Sequence, residues 1–265
     1  TMTTLSQAEI EKYAQDGLVI PDFQISAEKL TRLRGAIEEL VAANPDVPPE
    51  YLVGPHIPKP ENRKLHVPFL DMCHDDEILD RVSDLIGPDI ILWSSGVFCK
   101  PPEVGLTVPW HQDGQYWPIR PLATCSVWIA VDDALPENGC MRYIPGSHRS
   151  RQLFPHNYIK DDGLVLNQQL EIEPELLRTA QNDVLGAGQL SMHDVYLIPG
   201  SNANKSRRRR AGYVMRYMPS TSVYDRQLDM DQSSSIGVSD FQNRPIWLVR
   251  GKDRSGKNEF NIGHL

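Results

Sequence analysis

Apolar residues along the N-terminal third of the chain recur at helical spacing. Ser6-Gln-Ala-Glu9 has the form of a capping box, in which each end residue's side chain satisfies a backbone N–H at a helix start, and Ile10 and Tyr13 follow at that spacing. A short helix is predicted, ending near Gly17. From Ser26 to Ala43, Leu30, Leu33, Ile37, Leu40 and Val41 fall on one stripe while Glu28, Lys29, Arg32 and Glu39 sit elsewhere, which predicts an amphipathic helix. Pro45, Pro48, Pro49, Pro55, Pro58 and Pro60 then interrupt both kinds of ladder and predict a long irregular stretch, either the border of an active site or a surface connector. Asp75 to Ile86 reads as a third helix, with Ile78, Leu79, Val82, Leu85 and Ile86 apolar and Gly87-Pro88 as its stop. Past Gly87 the period changes to β-type runs, at Ile90 to Cys99, Ser126 to Val131, Gly188 to Ile198 and Gly212 to Tyr217. Helices first and antiparallel strands afterwards argue for an α+β chain whose strands form a sandwich or barrel.

Composition narrows the picture without naming a chemistry. A chain of 265 residues, 40% hydrophobic and 23% charged, can bury a full core, which excludes a disordered chain, a fibrous repeat and a stapled mini-protein. One domain is expected over 2–265, with a helical part at 6–87, a β core at 88–220 and a C-terminal extension at 221–265; Thr1 ahead of Met2 is expected to be a vector remnant. The net charge of −8 gives no general pull toward nucleic acid or anionic lipid. No apolar run reaches the ~18 to 20 residues of a bilayer span, and no basic-then-apolar leader is seen, so a soluble cytoplasmic protein without a membrane partner is expected. Cys73, Cys99, Cys125 and Cys140 are scattered and expected to be reduced. The charge block Arg207 to Arg210 reads first as a solvated turn.

His111-Gln-Asp113 is the first feature with chemical content. Residues i and i+2 on a strand point to one face and can reach one metal ion, and imidazole with carboxylate suits iron(II), manganese or zinc with open positions. Alone, such a pair is as readily a surface pair or a core histidine. Around it stand Lys100-Pro-Pro102, Trp110-His-Gln-Asp113, Trp128, Asn138-Gly-Cys-Met-Arg-Tyr-Ile-Pro-Gly-Ser-His148, Gly200-Ser201, Asn204, Ser206 and Arg210. In order and spacing these pieces resemble the signature of the phytanoyl-CoA hydroxylase family of iron(II)/2-oxoglutarate oxygenases. The resemblance implies a double-stranded β-helix, a cupin-like jelly roll flanked by the N-terminal helices. It implies 2-oxoglutarate-coupled oxidation of a C–H bond of a small molecule, with iron(II) as the metal and dioxygen consumed. His111 and Asp113 would be two members of the facial triad, and Arg210 the partner of the distal carboxylate of 2-oxoglutarate. That role suits a planar, always charged guanidinium. Ser201 would add a hydroxyl to the same carboxylate, Gln112 and Trp128 would line the co-substrate, and Trp117 and Phe98 the substrate pocket.

At the position of the third ligand, the histidine of an HGS triplet in the family, this chain has Pro199, which carries no side-chain donor for a metal. His193 lies six residues upstream, ~20 Å away along a regular strand at ~3.3 Å per residue, so it could serve only if the strand were broken. Either iron is held more weakly by His111, Asp113, co-substrate and water, or the scaffold has become a non-oxidative enzyme or small-molecule binder with a degenerate site. A substitution introduced on purpose or in cloning is a third reading. Proline also lacks an N–H, so its strand should lie at a sheet edge or end there.

Overall fold

Ser6 caps helix α1 (Gln7–Asp16) through reciprocal bonds with Glu9, and Gly17 ends it in the left-handed region at φ 82°. In the computed structural model, residues 4–60, 64–227 and 241–264 are described; Thr1 and positions 228–240 of the expected C-terminal extension lie outside them. A side chain at Gly17 would also collide with the His148 ring, 2.5 Å from its Nδ1, so glycine is required twice over. Helix α2 (Ala27–Ala43) is capped by the Ser26 hydroxyl. Helix α3 (Val67–Cys73), unforeseen in the proline-rich stretch, carries Pro68 in its first turn, where a missing N–H costs no bond. Helix α4 (Asp76–Ile86) is capped by Asp75.

Strands β1 (Leu18–Val19) and β2 (Leu52–Val53) lie between the helices. They are followed by β3 (Ile90–Lys100), β4 (Ile119–Arg120), β5 (Cys125–Ala130), β6 (Met141–Ile144), β7 (Asn157–Tyr158), β8 (Gln168–Gln169), β9 (Gln181–Asn182), β10 (Leu190–Asp194), β11 (Ile198–Ser201), β12 (Arg210–Pro219), β13 (Val223–Tyr224) and β14 (Trp247–Arg250). The large sheet runs β1-β10-β5-β12-β3-β14, with β2 also on β3, and the small sheet runs β11-β6-β9. The single strand expected over 188–198 is corrected to two, β10 and β11, one in each sheet. Pro199 sits in β11, at the edge of its small sheet.

Alternation sorts the large sheet's two faces. Ala211, Tyr213, Met215 and Tyr217 of β12 join Cys125, Val127 and Ile129 of β5 and Leu190 and Met192 of β10 in a core with Leu33 and Ile37 of α2, Phe69 of α3 and Val82 of α4. The Tyr213 and Tyr217 hydroxyls donate to the Phe69 and Cys73 carbonyls, tying α3 to the sheet. The intervening residues, Arg210, Val214 and Arg216 of β12, Trp128 of β5 and His193 of β10, look inward at a cavity whose other wall includes Met141, Pro199 and Ser201 of the small sheet. Two antiparallel sheets enclosing a cavity, with the chain crossing between them at β5–β6 and β10–β11, make a double-stranded β-helix with helices on one outer face. No helix among the described residues is long and apolar enough to cross a membrane.

Candidate active site

The cavity, about 480 Å³, is lined by His111, Asp113, His193, Pro199, Ser201 and Arg210, with Phe98 and Trp128 among its apolar members. His111 and Asp113 are not on a regular strand. Gln112 is extended (φ −119°, ψ 125°), and Asp113 opens a turn of 3-10 helix. The extended residue between them still turns both side chains to one side, and His111 Nε2 stands 3.1 Å from Asp113 Oδ1. On its other nitrogen, His111 Nδ1 is 2.8 Å from the Pro109 carbonyl, which can only accept, so Nδ1 carries the proton. Nε2 is thus the nitrogen turned to the carboxylate, and a metal ion held between Nε2 and Oδ1 fits that pair of ligand types, with the second nitrogen held by a carbonyl as ligating imidazoles usually are. Burial pushes the Asp113 carboxyl up, but the two histidines and the Arg216 charge hold it well below the usual carboxylate range.

His193 is not remote. Its Nε2 is 3.6 Å from Asp113 Oδ2, the residue is 4% exposed, and its Nδ1 has no hydrogen-bond partner among the described residues. The strand break on which a role for His193 depended is present: the chain turns between β10 and β11, with Leu197 N–H donating to the Asp194 carbonyl. Among the described residues no three His, Cys, Asp or Glu side chains already stand as a set that could hold a metal ion. His111 and Asp113 form a pair, with His193 beside it. Pro199 contributes through its backbone: its carbonyl accepts from the His111 N–H at 3.1 Å.

Elsewhere in the cavity, Arg210 is 3% exposed, and among the described residues neither its Nε nor the buried Ser201 hydroxyl has a hydrogen-bond partner. Arg208 and Arg209 instead pair outward with Asp133 and Asp132. The Trp128 ring lies 5.4 Å from the Arg210 guanidinium. It rests on Gly212, where a Cβ would fall within 1.9 Å of the ring. Gln112 turns elsewhere: its amide donates to the Gln152 and Tyr196 carbonyls and accepts from Phe154 N–H, so it holds loops rather than the wall beside Arg210. Trp117 lines a second cavity, about 660 Å³, that shares His111 and Asp113 with the first and includes Tyr51 and His156.

Several residues carried no local signal. His156 accepts from the Gln112 N–H, and burial pushes its imidazole down to about 4. Asp183 is fully buried against the Ser191 hydroxyl, and burial pushes its carboxyl up to about 6. Arg216, six residues beyond Arg210, was the one with a legible sign, since even spacing on a strand places it on the same face. The Asn138 to His148 motif serves the scaffold: Asn138 accepts from Leu135 N–H and donates to Asp133 O, while His148 binds the carbonyl of Ala14 in α1.

The fold is a cupin-like double-stranded β-helix, with the cavity between its two sheets. The chain belongs to the phytanoyl-CoA dioxygenase (PhyH) family, whose model matches residues 13–212. Human peroxisomal phytanoyl-CoA dioxygenase is 34% identical over 140 residues, 51% of this chain and 41% of that protein. A probable alpha-ketoglutarate-dependent hypophosphite dioxygenase of Stutzerimonas stutzeri is 27% identical over 160 residues, 59% of this chain and 55% of that protein. The chain spans about half the length of the curated relatives it matches. Among solved structures, the apo form of the non-heme monooxygenase ThoJ superposes with a TM-score of 0.70 at 23% identity, over 96% of this chain and 88% of that one. At that identity it is the fold that is shared.

Proposed function

We propose that this protein is an iron(II)/2-oxoglutarate-dependent dioxygenase that oxidises a C–H bond of a small molecule. The observation that carries the reading is one cavity holding both the His111–Asp113 pair and two buried donors, Arg210 and Ser201, that have no side-chain partner among the described residues. Family membership supports it, as does the alpha-ketoglutarate dependence in the name of the Stutzerimonas relative. In this reading His111 and Asp113 are metal ligands. His193, the other imidazole lining the cavity, is the side chain available for the place that Pro199 cannot fill. Bound there, iron(II) would supply the oxidising chemistry, with dioxygen and 2-oxoglutarate as co-substrates.

The chain's own share is positioning and exclusion of water. The Pro109 and Pro199 carbonyls orient His111 through its ring and backbone N–H groups. Arg210 and Ser201 anchor the distal carboxylate of the co-substrate, with Trp128 as a wall. His156 and Gln112 fix the loop at the mouth, where Trp117 and Phe98 meet the substrate. Anaerobic calorimetry with iron(II) tests the reading. Arg210→Leu should weaken 2-oxoglutarate binding by at least ~100-fold, the loss of a charged bidentate contact worth ~3 kcal/mol. Arg208→Leu should leave it unchanged, and equal losses in the two variants would reduce Arg210 to one more charge in its run.

A further inference from the structure

Arg216 is a second arginine in the cavity wall, and among the described residues no carboxylate stands within ion-pair distance of it. It lies on the same face of β12 as Arg210, with Cα atoms roughly 20 Å apart at six residues of extended chain, a separation that serves two anionic groups rather than one. The residue is 4% exposed, and among the described residues no hydrogen bond or ion pair reaches its guanidinium. Its neighbours are the Trp117 ring, 5.2 Å from the guanidinium carbon, and Asp113, whose carboxyl feels its charge from beyond ion-pair distance. Directly across the ladder on β5 stands Ser126, fully buried, with a hydroxyl that also has no partner among the described residues.

Two unpartnered donors side by side repeat, toward Asp113 and Trp117, the pairing of Arg210 with Ser201. An arginine cannot shed its proton to escape burial, so a buried guanidinium without a partner is a standing cost unless a ligand brings the anion. We infer that Arg216, assisted by Ser126, anchors a carboxylate on the substrate, and that the substrates are small carboxylic acids held with the carbon to be oxidised beside His111 and Asp113. One unpaired positive charge matches a singly charged carboxylate. A phosphate dianion would meet the nearby Asp113, and among the described residues the other arginine lining the cavity is Arg210, which this reading gives to the co-substrate. The inference rests on the reading of Arg210 as the co-substrate's arginine.

The test uses the protein loaded anaerobically with iron(II) and saturating 2-oxoglutarate, so that Arg210 is occupied, and acetate, acetamide and inorganic phosphate as probes in thermal melts. Acetate should raise the melting temperature of the parent protein by several degrees, acetamide should not, and phosphate should act more weakly than acetate. Arg216→Met should abolish the acetate shift and keep 2-oxoglutarate affinity within twofold. Without ligands, that variant should melt no lower than the parent, because an unpaired charge has left the interior. Ser126→Ala, the milder variant, should weaken acetate binding several-fold. The inference is overturned if acetate does not bind the parent protein, if acetate shifts both proteins equally, or if unliganded Arg216→Met melts lower, which would make the guanidinium structural. If Arg216→Met loses 2-oxoglutarate while Arg210→Leu keeps it, the assignment of Arg210 is what has failed.

Discussion

Lys100 shows how far a residue's neighbours can move its chemistry. It is 1% exposed, its Nζ donates to the Asn202 carbonyl, and burial with the adjacent Arg210 charge pushes its pKa down to about 6. Between that value and the ordinary lysine range the unfolded chain holds a proton that the folded chain does not, so folding stability should rise with pH across this window, by at most about 1.4 kcal/mol per unit from this group. Melts of the parent protein and Lys100→Met between pH 6 and 9 check the sign: the parent should gain stability relative to the variant as pH rises, and parallel profiles would mean that the lysine stays charged when folded. Gly212 makes a complementary point without any charge. Trp128 occupies the space where a side chain on Gly212 would be, so the wall of the cavity beside Arg210 depends on a residue that contributes no atoms to it.

The break between β10 and β11 has the largest consequence at the scale of elements. Asp194 turns the chain by accepting from Tyr196 N–H through its carboxylate and from Leu197 N–H through its carbonyl. His193 therefore faces the cavity from the large sheet and Pro199 from the small one. Along a β-strand the N–H and C=O of one residue point the same way. Since the Pro199 carbonyl meets His111, its missing N–H falls on the side of β11 that faces residues 108–111, outside any regular strand, and not in the ladder with β6, which explains how a proline is tolerated here. His193→Ala should lower iron(II) affinity, measured by competition with a chromophoric chelator, by more than the ~10 to 100-fold typical of residues that only orient ligands. Adding Pro199→His on that background should recover much of the loss. Undiminished iron binding by His193→Ala would remove His193 from the ligand set.

For the molecule as a whole, one face of the large sheet is spent on α2, α3 and α4 and the other on the cavity. Ligands that bind only the folded cavity should stabilise the entire domain. Iron(II) with 2-oxoglutarate at a hundred times its dissociation constant should add about 2.7 kcal/mol, or roughly 5 to 10 °C in melting temperature for a chain of this size. A chelator should reverse most of that shift, and an unchanged melting temperature would argue that the cavity holds neither. The sequence alone determined the helices with local signatures: Ser6, Ser26 and Asp75 cap α1, α2 and α4 at positions legible from capping chemistry and a 3.6-residue stripe. It also determined the proximity of His111 and Asp113, because spacing of two through one extended residue is a local property. Tertiary structure alone decided the environments of His193, Asp183, His156 and Arg216. Alternation says which face of a strand a residue is on, but what lies opposite depends on the small sheet closing over the large one, and long-range closure is what takes Arg216 out of water and brings His193 to within 3.6 Å of Asp113.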